Sequence, residues 1–310
     1  MRVLRLVTNG HSKFFRQQVT GLRERGHDLD VLSVPGDSVV DGRQTDRRPA
    51  SAYVRFYVNA VATARDDYDL VHASYGLTAP PAVVQPFHPV ILSLWGSDLL
   101  GGLGPITRQW ARFADEVVVM SEEMADELSR DTHLIPHGVD LSKFRPQSQT
   151  EARTELGWDP GARHVLFPYG PSRDVKDYPR AERIVDEVRS RSDGPVRLQT
   201  VTGATHDQMP LYMNAADAML LTSKSEGCPN SVKEALACNL PVVAVDVGDV
   251  ARLLDGVSPS VVDSDDDVLA DALATTLNAP ERSNGREAVS SISLSNQLDR
   301  IEALYEANAS

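Results

Sequence analysis

The stretch Leu220-Leu221-Thr222-Ser223-Lys224-Ser225-Glu226-Gly227-Cys228-Pro229-Asn230-Ser231-Val232-Lys233-Glu234-Ala235-Leu236-Ala237-Cys238-Asn239-Leu240-Pro241-Val242-Val243 reads as strand, turn, helix, turn and strand in immediate succession. Ala218–Thr222 is the apolar run of a buried strand, Ser231–Ala237 the helix, and Val242–Val245 the next strand. Glu226 and Gly227 fall in the first turn. Pro229 suits the first helical position because it has no N–H to leave unpaired. Asn230 or Ser231 can cap. The free N–H groups at this helix start make an anion site. Glu226 and Glu234 flank it. A carboxylate beside a phosphate repels it unless it serves other groups, and sugar or ribose hydroxyls are its natural partners. A solvated glutamate is the alternative reading at each position.

Working outward, the same alternation fills the chain. Val3–Val7, Leu29–Val34, Leu70–His72, Val90–Leu94, Val117–Met120 and Leu134-Ile135 read as strands. Phe14–Arg25, Ala50–Arg65 and Ile106–Phe113 read as helices, Ser121 caps another, and Gly36–Pro49 is turn-rich loop. The pattern restarts after Pro146. Val165–Pro168, Val196–Val201 and an edge strand Val261-Val262 join the two strands above. Pro179–Arg191, Pro210–Ala215, Asp249–Leu254, Val268–Leu277 and Leu294–Glu306 are the further helices. Strand–helix alternation implies parallel sheets covered on both faces. We therefore expect an α/β protein of two doubly wound, Rossmann-like domains, 1–145 and 146–310, facing an interdomain cleft. The boundary lies in the Pro, Gln and Ser interruption at Lys143–Thr150, and the last helix (about 294–307) is placed to pack back on the first domain. Such sheets bind ligands at the carboxyl ends of their strands.

Composition sets outer limits. The chain has 310 residues, 41 % hydrophobic and 24 % charged, a globular balance for about two domains. Its formal net charge is −13, with 29 Asp and 15 Glu against 26 Arg and 5 Lys. This argues against a nucleic-acid binder but not against an anionic ligand held by a few local donors. Asp-rich, Lys-poor usage fits either high-salt adaptation or a GC-rich genome. Two cysteines, Cys228 and Cys238, cannot staple a chain of this size, and a reducing cytoplasm is the simplest reading. The first residues alternate apolar with Arg, and we do not expect a signal peptide there. No stretch approaches the ~18–20 apolar residues of a spanning helix, so we expect a cytoplasmic protein, soluble or at most peripheral on the inner face of the membrane. The eight His show no metal-ligand spacing. No Gly-x-Gly-x-x-Gly follows the first strand, which removes a nicotinamide dehydrogenase.

The arrangement Glu226-x7-Glu234 within Ser-x-x-Glu-Gly-x-Pro-Asn-x-x-x-Glu-Ala-x-Ala-Cys resembles the donor-site signature of family-4 glycosyltransferases, which have the GT-B fold. Met213-Asn-Ala-Ala-Asp217 and Pro241-Val-Val…Gly248-Asp249-Val250 extend the likeness. Asp69-Leu-Val-His-Ala73 resembles the family's D-V-V-H-A, and Trp95-Gly-Ser-Asp-Leu99 its H-G-S-D-L. Ala114-Asp-Glu-Val-Val-Val-Met-Ser121 resembles A-D-x-V-x-x-x-S. Ile135-Pro-His-Gly-Val-Asp140…Phe144-x-Pro146 resembles I-P-N-G-V-D…F-x-P. The likeness runs in order from about residue 1 to 255, and its wording is nearest the teichuronic-acid branch that builds cell-surface polysaccharides.

The resemblance implies a retaining transferase that takes a nucleotide-diphosphate sugar as donor, a glycan or lipid-linked acceptor and no metal or other cofactor. It implies that Glu226 holds donor-sugar hydroxyls and that the backbone of Gly227, Cys228, Pro229 and Asn230 touches sugar and diphosphate. Glu234 grips the ribose. Lys176, six residues after Gly170, faces the negative charge that grows on the leaving diphosphate. The family's second phosphate clamp is an Arg directly after that Gly; here Pro171 stands there, and Arg173 is the candidate substitute. Trp95 stands for the family's His, leaving His72 as the candidate catalytic imidazole and the source of any rate titration near pH 6.5. Gly10, Lys13, Trp95 and Asp98 are acceptor-side candidates, with Arg16 beside Lys13. The alternative is a lapsed GT-B protein that binds nucleotide sugar as a partner subunit; an epimerase or phosphorylase on the same fold is a third.

Overall fold

The computed structural model describes residues 1–36, 39–40, 43–44, 48–278 and 281–309. They fall into two units, Met1–His137 with the chain from Ser295 onward, and Gly138–Leu294.

In the first unit the elements run β1 (Arg2–Val7), α1 (Lys13–Glu24), β2 (Asp28–Ser33), β3 (Val39–Val40), β4 (Arg43–Gln44), α2 (Ala50–Thr63), β5 (Leu70–Ser74), α3 (Ala79–Val84), β6 (Val90–Ser93), α4 (Gly104–Ala111), β7 (Glu116–Val119), α5 (Glu122–Asp126) and β8 (His133–Leu134). Six of the strands form one sheet in the order β2-β1-β5-β6-β7-β8, parallel throughout. β5 and β6 are buried along their whole length, as a parallel strand covered on both faces must be. Ser121 caps α5, its side chain accepting from the Met124 N–H. Much of the loop expected at Gly36–Pro49 lies outside the described residues; within it β3 and β4 pair antiparallel. The sequence reading misses α3 because Pro80 and Pro81 read as breakers. They are the second and third residues of the helix, within the first turn whose N–H groups have no intrahelical partner.

In the second unit the elements are α6 (Gln149–Leu156), β9 (Arg163–Phe167), α7 (Tyr178–Ser190), β10 (Val196–Thr200), α8 (Met209–Ala215), β11 (Ala218–Leu221), α9 (Asn230–Ala237), β12 (Val242–Val245), α10 (Val250–Leu254), β13 (Val261–Asp263), α11 (Asp266–Asn278) and α12 (Gly285–Ala288). Its sheet has the order β10-β9-β11-β12-β13, again all parallel. The two-residue period of a strand divides the core cleanly. Leu166, Met219, Leu221, Val242 and Ala244 pack on one face with α8, α9 and α10. Val165, Phe167, Ala218, Leu220, Val243 and Val245 pack on the other with α7 and α11.

The changeover between units falls at His137–Gly138, not at 145/146. Val139 donates its N–H to Ile292 O at 3.0 Å and its carbonyl accepts from Leu294 N at 2.8 Å. A Cβ on Gly138 would stand 2.5 Å from Leu294 Cα, so the chain enters and leaves the unit side by side. The polar run expected to be a linker lies inside the second unit and leads into α6, which Ser148 caps on the Glu151 N–H. After Leu294, α13 (Leu294–Asn308) carries the chain back into the first unit.

Candidate active site

In an open parallel sheet the ligand site lies where the strand order reverses, at the carboxyl ends of the strands. In the second unit the reversal is between β9 and β11. The loops leaving those two strands carry Lys176 and Glu226. They are stitched together by Thr222, whose hydroxyl donates to the carbonyls of Lys176 and Asp177, each at 3.0 Å, and by Lys224 N–H to Val175 O at 2.9 Å.

This juxtaposition makes an ion pair. Lys176 Nζ donates to Glu226 Oε1 at 2.5 Å, with side-chain exposures of 8 % and 11 %. The Ser223 hydroxyl donates to the same oxygen at 2.6 Å. Burial pulls the Lys176 pKa down, and Glu226 opposes the shift. Beneath the ammonium lies Tyr169, its ring centroid 4.3 Å from Lys176 Nζ and 5.4 Å from the Arg173 guanidinium. Arg173 and Lys176 thus share one aromatic ring, which puts the candidate second cation beside the first. Pro171 is exposed.

Glu234 is the fifth residue of α9 and is buried. It is oriented by residues that sequence reasoning misses. Lys143 Nζ donates to His206 Nδ1 at 3.0 Å, which leaves the proton of a neutral imidazole on Nε2, and that nitrogen stands 2.7 Å from Glu234 Oε1. Tyr169 is missed as well. Its hydroxyl meets Ser231 Oγ at 2.5 Å, so Ser231 does not cap α9. The N-cap is Pro229, without a side-chain cap, and the helix starts at Asn230, one residue earlier than expected. Lys233, also unremarked in the sequence, is buried in the same helix, and its ammonium hydrogen-bonds the Cys228 sulfur; burial lowers its pKa and raises that of the thiol.

The loop Glu226–Pro229 is held from behind by the turn after β12. Asp249 N–H donates to Gly227 O at 2.8 Å. Gly248, at φ +54°, lies so close that a Cβ there would stand 2.4 Å from Gly227 O and 2.5 Å from Glu226 O. On Gly227 itself a Cβ would meet nothing within 4 Å, so that side of the loop is open and lets a ligand come close to the backbone. A cation, two carboxylates and a helix start without a side-chain cap therefore converge on one strand edge. Among the described residues no group of three or more His, Cys, Asp or Glu is placed to hold a metal.

The first unit corrects two candidates. His72 is wholly buried in the sheet, with Nδ1 2.7 Å from the Tyr305 hydroxyl and Nε2 2.7 Å from Ser93 Oγ. The Tyr305 oxygen also accepts from Arg5 Nη1 at 2.7 Å. With both nitrogens engaged inside the core, His72 is a structural group, not a catalytic one. Burial, seconded by Arg5, pushes its pKa well below 6.5, so it is not the source of a titration there. Because the folded pKa is depressed, the unfolded chain binds the proton first. Stability is complete above about pH 6.5 and is lost below it at up to about 1.4 kcal/mol per pH unit. Denaturant midpoints measured from pH 7 to 5 should fall, and His72→Gln should flatten the slope by one proton; an unaltered slope would assign the effect elsewhere.

Asp98 is the second correction. It is fully buried and accepts from the N–H groups of Gly76 and Trp95, both at 2.9 Å, tying the loop after β5 to the loop after β6. Burial raises its pKa. It positions Trp95 and does not face an acceptor. Lys13 opens α1 with its ammonium 4.5 Å over the Phe14 ring, and Gly10 lies in the turn before it.

Residues 8–143 match the family model described as Glycosyltransferase Family 4, and residues 176–279 that described as Glycosyl transferases group 1. The two segments together take in more than two thirds of the chain. The chain belongs to the family-4 glycosyltransferases. It is 30 % identical over 250 residues to TuaC of Bacillus subtilis, assigned by name to teichuronic acid biosynthesis, over 71 % of this chain and 62 % of that protein. It is likewise 30 % identical over 227 residues to a D-inositol 3-phosphate glycosyltransferase of Mycolicibacterium gilvum, over 62 % of this chain and 51 % of the relative. The matches thus span about half to two thirds of the length of these relatives. Among solved structures, sucrose-phosphate synthase of Thermosynechococcus elongatus superposes with a TM-score of 0.73 at 20 % identity, covering 99 % of each chain. Anabaena Alr3699/HepE, solved with UDP and glucose, gives 0.72 at 16 %, covering 99 % of this chain and 100 % of that one. These likenesses establish the GT-B fold. No helix among the described residues is long and apolar enough to cross a membrane.

Proposed function

We propose that this family-4 protein is a retaining glycosyltransferase. It moves a sugar from a nucleotide-diphosphate donor to a glycan or lipid-linked acceptor in the making of a cell-surface polysaccharide or glycoconjugate, on the cytoplasmic side. The observation that carries the reading is the buried Lys176–Glu226 pair at the strand-order reversal, with Glu234 on the neighbouring helix. The donor diphosphate lies at the Gly227–Asn230 backbone and at Lys176. Glu226 takes the sugar hydroxyls and Glu234 the ribose. As the glycosidic bond breaks, negative charge gathers on the leaving diphosphate, and the Lys176 ammonium, with Arg173 in support, stabilises it. The positive charge at the diphosphate is assigned to these side chains, and the reading calls on no metal. The relatives' names, with teichuronic acid and inositol phosphate among them, favour a polyhydroxylated acceptor.

The lapsed-binder alternative rests on Trp95 and Pro171. Against it, a binder that had ceased turnover would need Glu226 and Glu234 for the donor but no buried ammonium at Lys176 set to stabilise a leaving diphosphate. Incubating the protein with a panel of nucleotide sugars and reading free nucleotide diphosphate by mass spectrometry tests the proposal; release with no donor, with or without acceptors, would overturn it. Glu234→Gln should weaken nucleotide-diphosphate binding about ten- to a hundredfold by calorimetry, since a charge-assisted hydrogen bond contributes about 1.5–3 kcal/mol. Unchanged affinity would remove Glu234 from the site.

A further inference from the structure

Ten large hydrophobic side chains are exposed among the described residues, and six of them belong to three consecutive helices of the first unit or lie within three residues of them. These are Val54 and Val58 on α2, Val84 and Phe87 at the end of α3, and Ile106 and Phe113 with α4. The topology sets these helices side by side. The connections from β2 to β5, β5 to β6 and β6 to β7 all step in one direction across the sheet. Right-handed crossovers therefore lay α2, α3 and α4 on the same face, and α1, which steps back from β1 to β2, on the other. α3 packs against both α2 and α4. The Tyr57 hydroxyl donates to Leu77 O at 2.9 Å and ties α2 to the turn before α3.

α2 shows that core packing does not account for the patch. Ala52, Phe56 and Ala60, at the four-residue helical interval, supply its buried face. Val54 and Val58 repeat that interval on the side turned to solvent, at 63 % and 64 % exposure, where a globular helix carries polar residues. Phe113, at 67 %, is the barest of the ten, and half-buried Trp110 lies beside it with ring centroids 6.4 Å apart. Apolar surface gathered on one face marks an interface.

Charge indicates the partner. Ala50–Arg65 and Leu70–Ala114 make up about a fifth of the chain and hold one of its 44 Asp and Glu, Asp98, which is buried. The same stretches carry Arg55, Arg65, Arg108 and Arg112, in a chain of net charge −13. Arg55, Arg65 and Arg112 are exposed, and Arg108 pairs with Glu127 at 2.6 Å. Carboxylates resume at Asp66 and Asp115, where the chain leaves α2 and α4 for the next strand. A second copy seated on this face by a two-fold axis would bring one set of arginines to the other. An anionic bilayer accepts both components: valine and phenylalanine enter the boundary between headgroups and acyl chains, and arginine meets phosphate. The acidic remainder of the surface is repelled, so charge turns this face to the lipid.

We propose that the solvent face of α2, α3 and α4 seats the protein on a bilayer of anionic phospholipid. The test mixes the full chain with vesicles of phosphatidylcholine and phosphatidylglycerol in equal parts, or of phosphatidylcholine alone, and reads the bound fraction by sedimentation. Binding to the anionic vesicles should be at least about tenfold the stronger, and should weaken at least about tenfold between about 0.1 M and about 0.5 M salt. Arg112→Glu should weaken it about tenfold, since one basic side chain near an anionic surface contributes about fivefold and its reversal adds repulsion. Phe113→Ser should weaken it about tenfold through lost apolar burial. Arg300→Glu makes the same change in net charge on α13, which packs through Leu298 against Gly21 of α1 on the other face of the sheet, and should bind as the parent does. All three positions are exposed, so the variants should melt with the parent. No binding to the anionic vesicles, equal binding to both kinds, or an equal loss in Arg300→Glu overturns the proposal. So does a lipid-free dimer that Phe113→Ser dissolves, which would make this face a contact between copies. Vesicle binding requires no turnover, and nucleotide release is read without vesicles, so this proposal and the transferase reading can each fail alone.

Discussion

Lys176→Ala is expected to lower turnover about a hundred- to a thousandfold while nucleotide-diphosphate affinity falls by less than about tenfold, the asymmetry that marks an interaction made chiefly in the transition state. The geometry gives the reason. The ammonium rests 2.5 Å from Glu226 in a pocket that leaves it 8 % exposed, so its charge is already oriented and little water competes for it. Before the bond breaks, the ammonium is shared between Glu226 and the donor diphosphate. As charge builds on the leaving diphosphate, the pull of the same ammonium on it strengthens without the ammonium moving far. Removing it leaves Glu226 with the Ser223 hydroxyl alone and repelling the incoming phosphates. Single-turnover rates at saturating donor, set beside calorimetric affinities, decide the matter. An affinity loss with unchanged turnover per bound donor would reduce Lys176 to a binding residue.

The parts of this site that the sequence discloses are those set by local chain chemistry. A parallel strand buried on both faces is an uninterrupted apolar run, which is why β11 and β12 are legible and why the loop between them is found at Glu226. The Glu–x7–Glu spacing survives into the fold because both residues belong to one turn and its helix. Contacts through space leave no such trace. Nothing near Glu234 in the chain points to His206, 28 residues away, or to Lys143 behind it. Tyr169 falls just past the strand read at Val165–Pro168, and only the folded loop shows it lying under two cations. His72 misleads in the opposite way. A histidine at a strand end can face a ligand or the core, and the choice is made by Tyr305, 233 residues later on α13. The run at Lys143–Thr150 imitates a linker because Pro, Gln and Ser mark a helix start as readily as a break.

Gly248→Ala is the second large effect expected, and it tests whether the donor loop is held from behind. Two costs arise together. At φ +54° any residue with a Cβ is strained by about 1–2 kcal/mol. The new methyl also falls 2.4 Å from Gly227 O and 2.5 Å from Glu226 O, and both neighbours are backbone that cannot swing aside as a side chain would. Relief comes from displacing the loop that carries Glu226 or from breaking the Asp249 N–H to Gly227 O bond that fixes it. Misplacement by about 1 Å costs about a hundredfold where catalysis depends on orientation, so turnover should fall on that scale, with a stability loss of about 1–3 kcal/mol. Gly256 in the same unit separates the two costs. It stands at φ +69°, and a methyl added there would meet nothing within 4 Å, so Gly256→Ala bears the backbone strain without the collision. It should melt lower and keep its donor affinity. If the two alanine variants lose the same stability and both retain wild-type donor affinity and turnover, the loop is not positioned by Gly248, and Lys176 with Ser223 must hold Glu226 unaided.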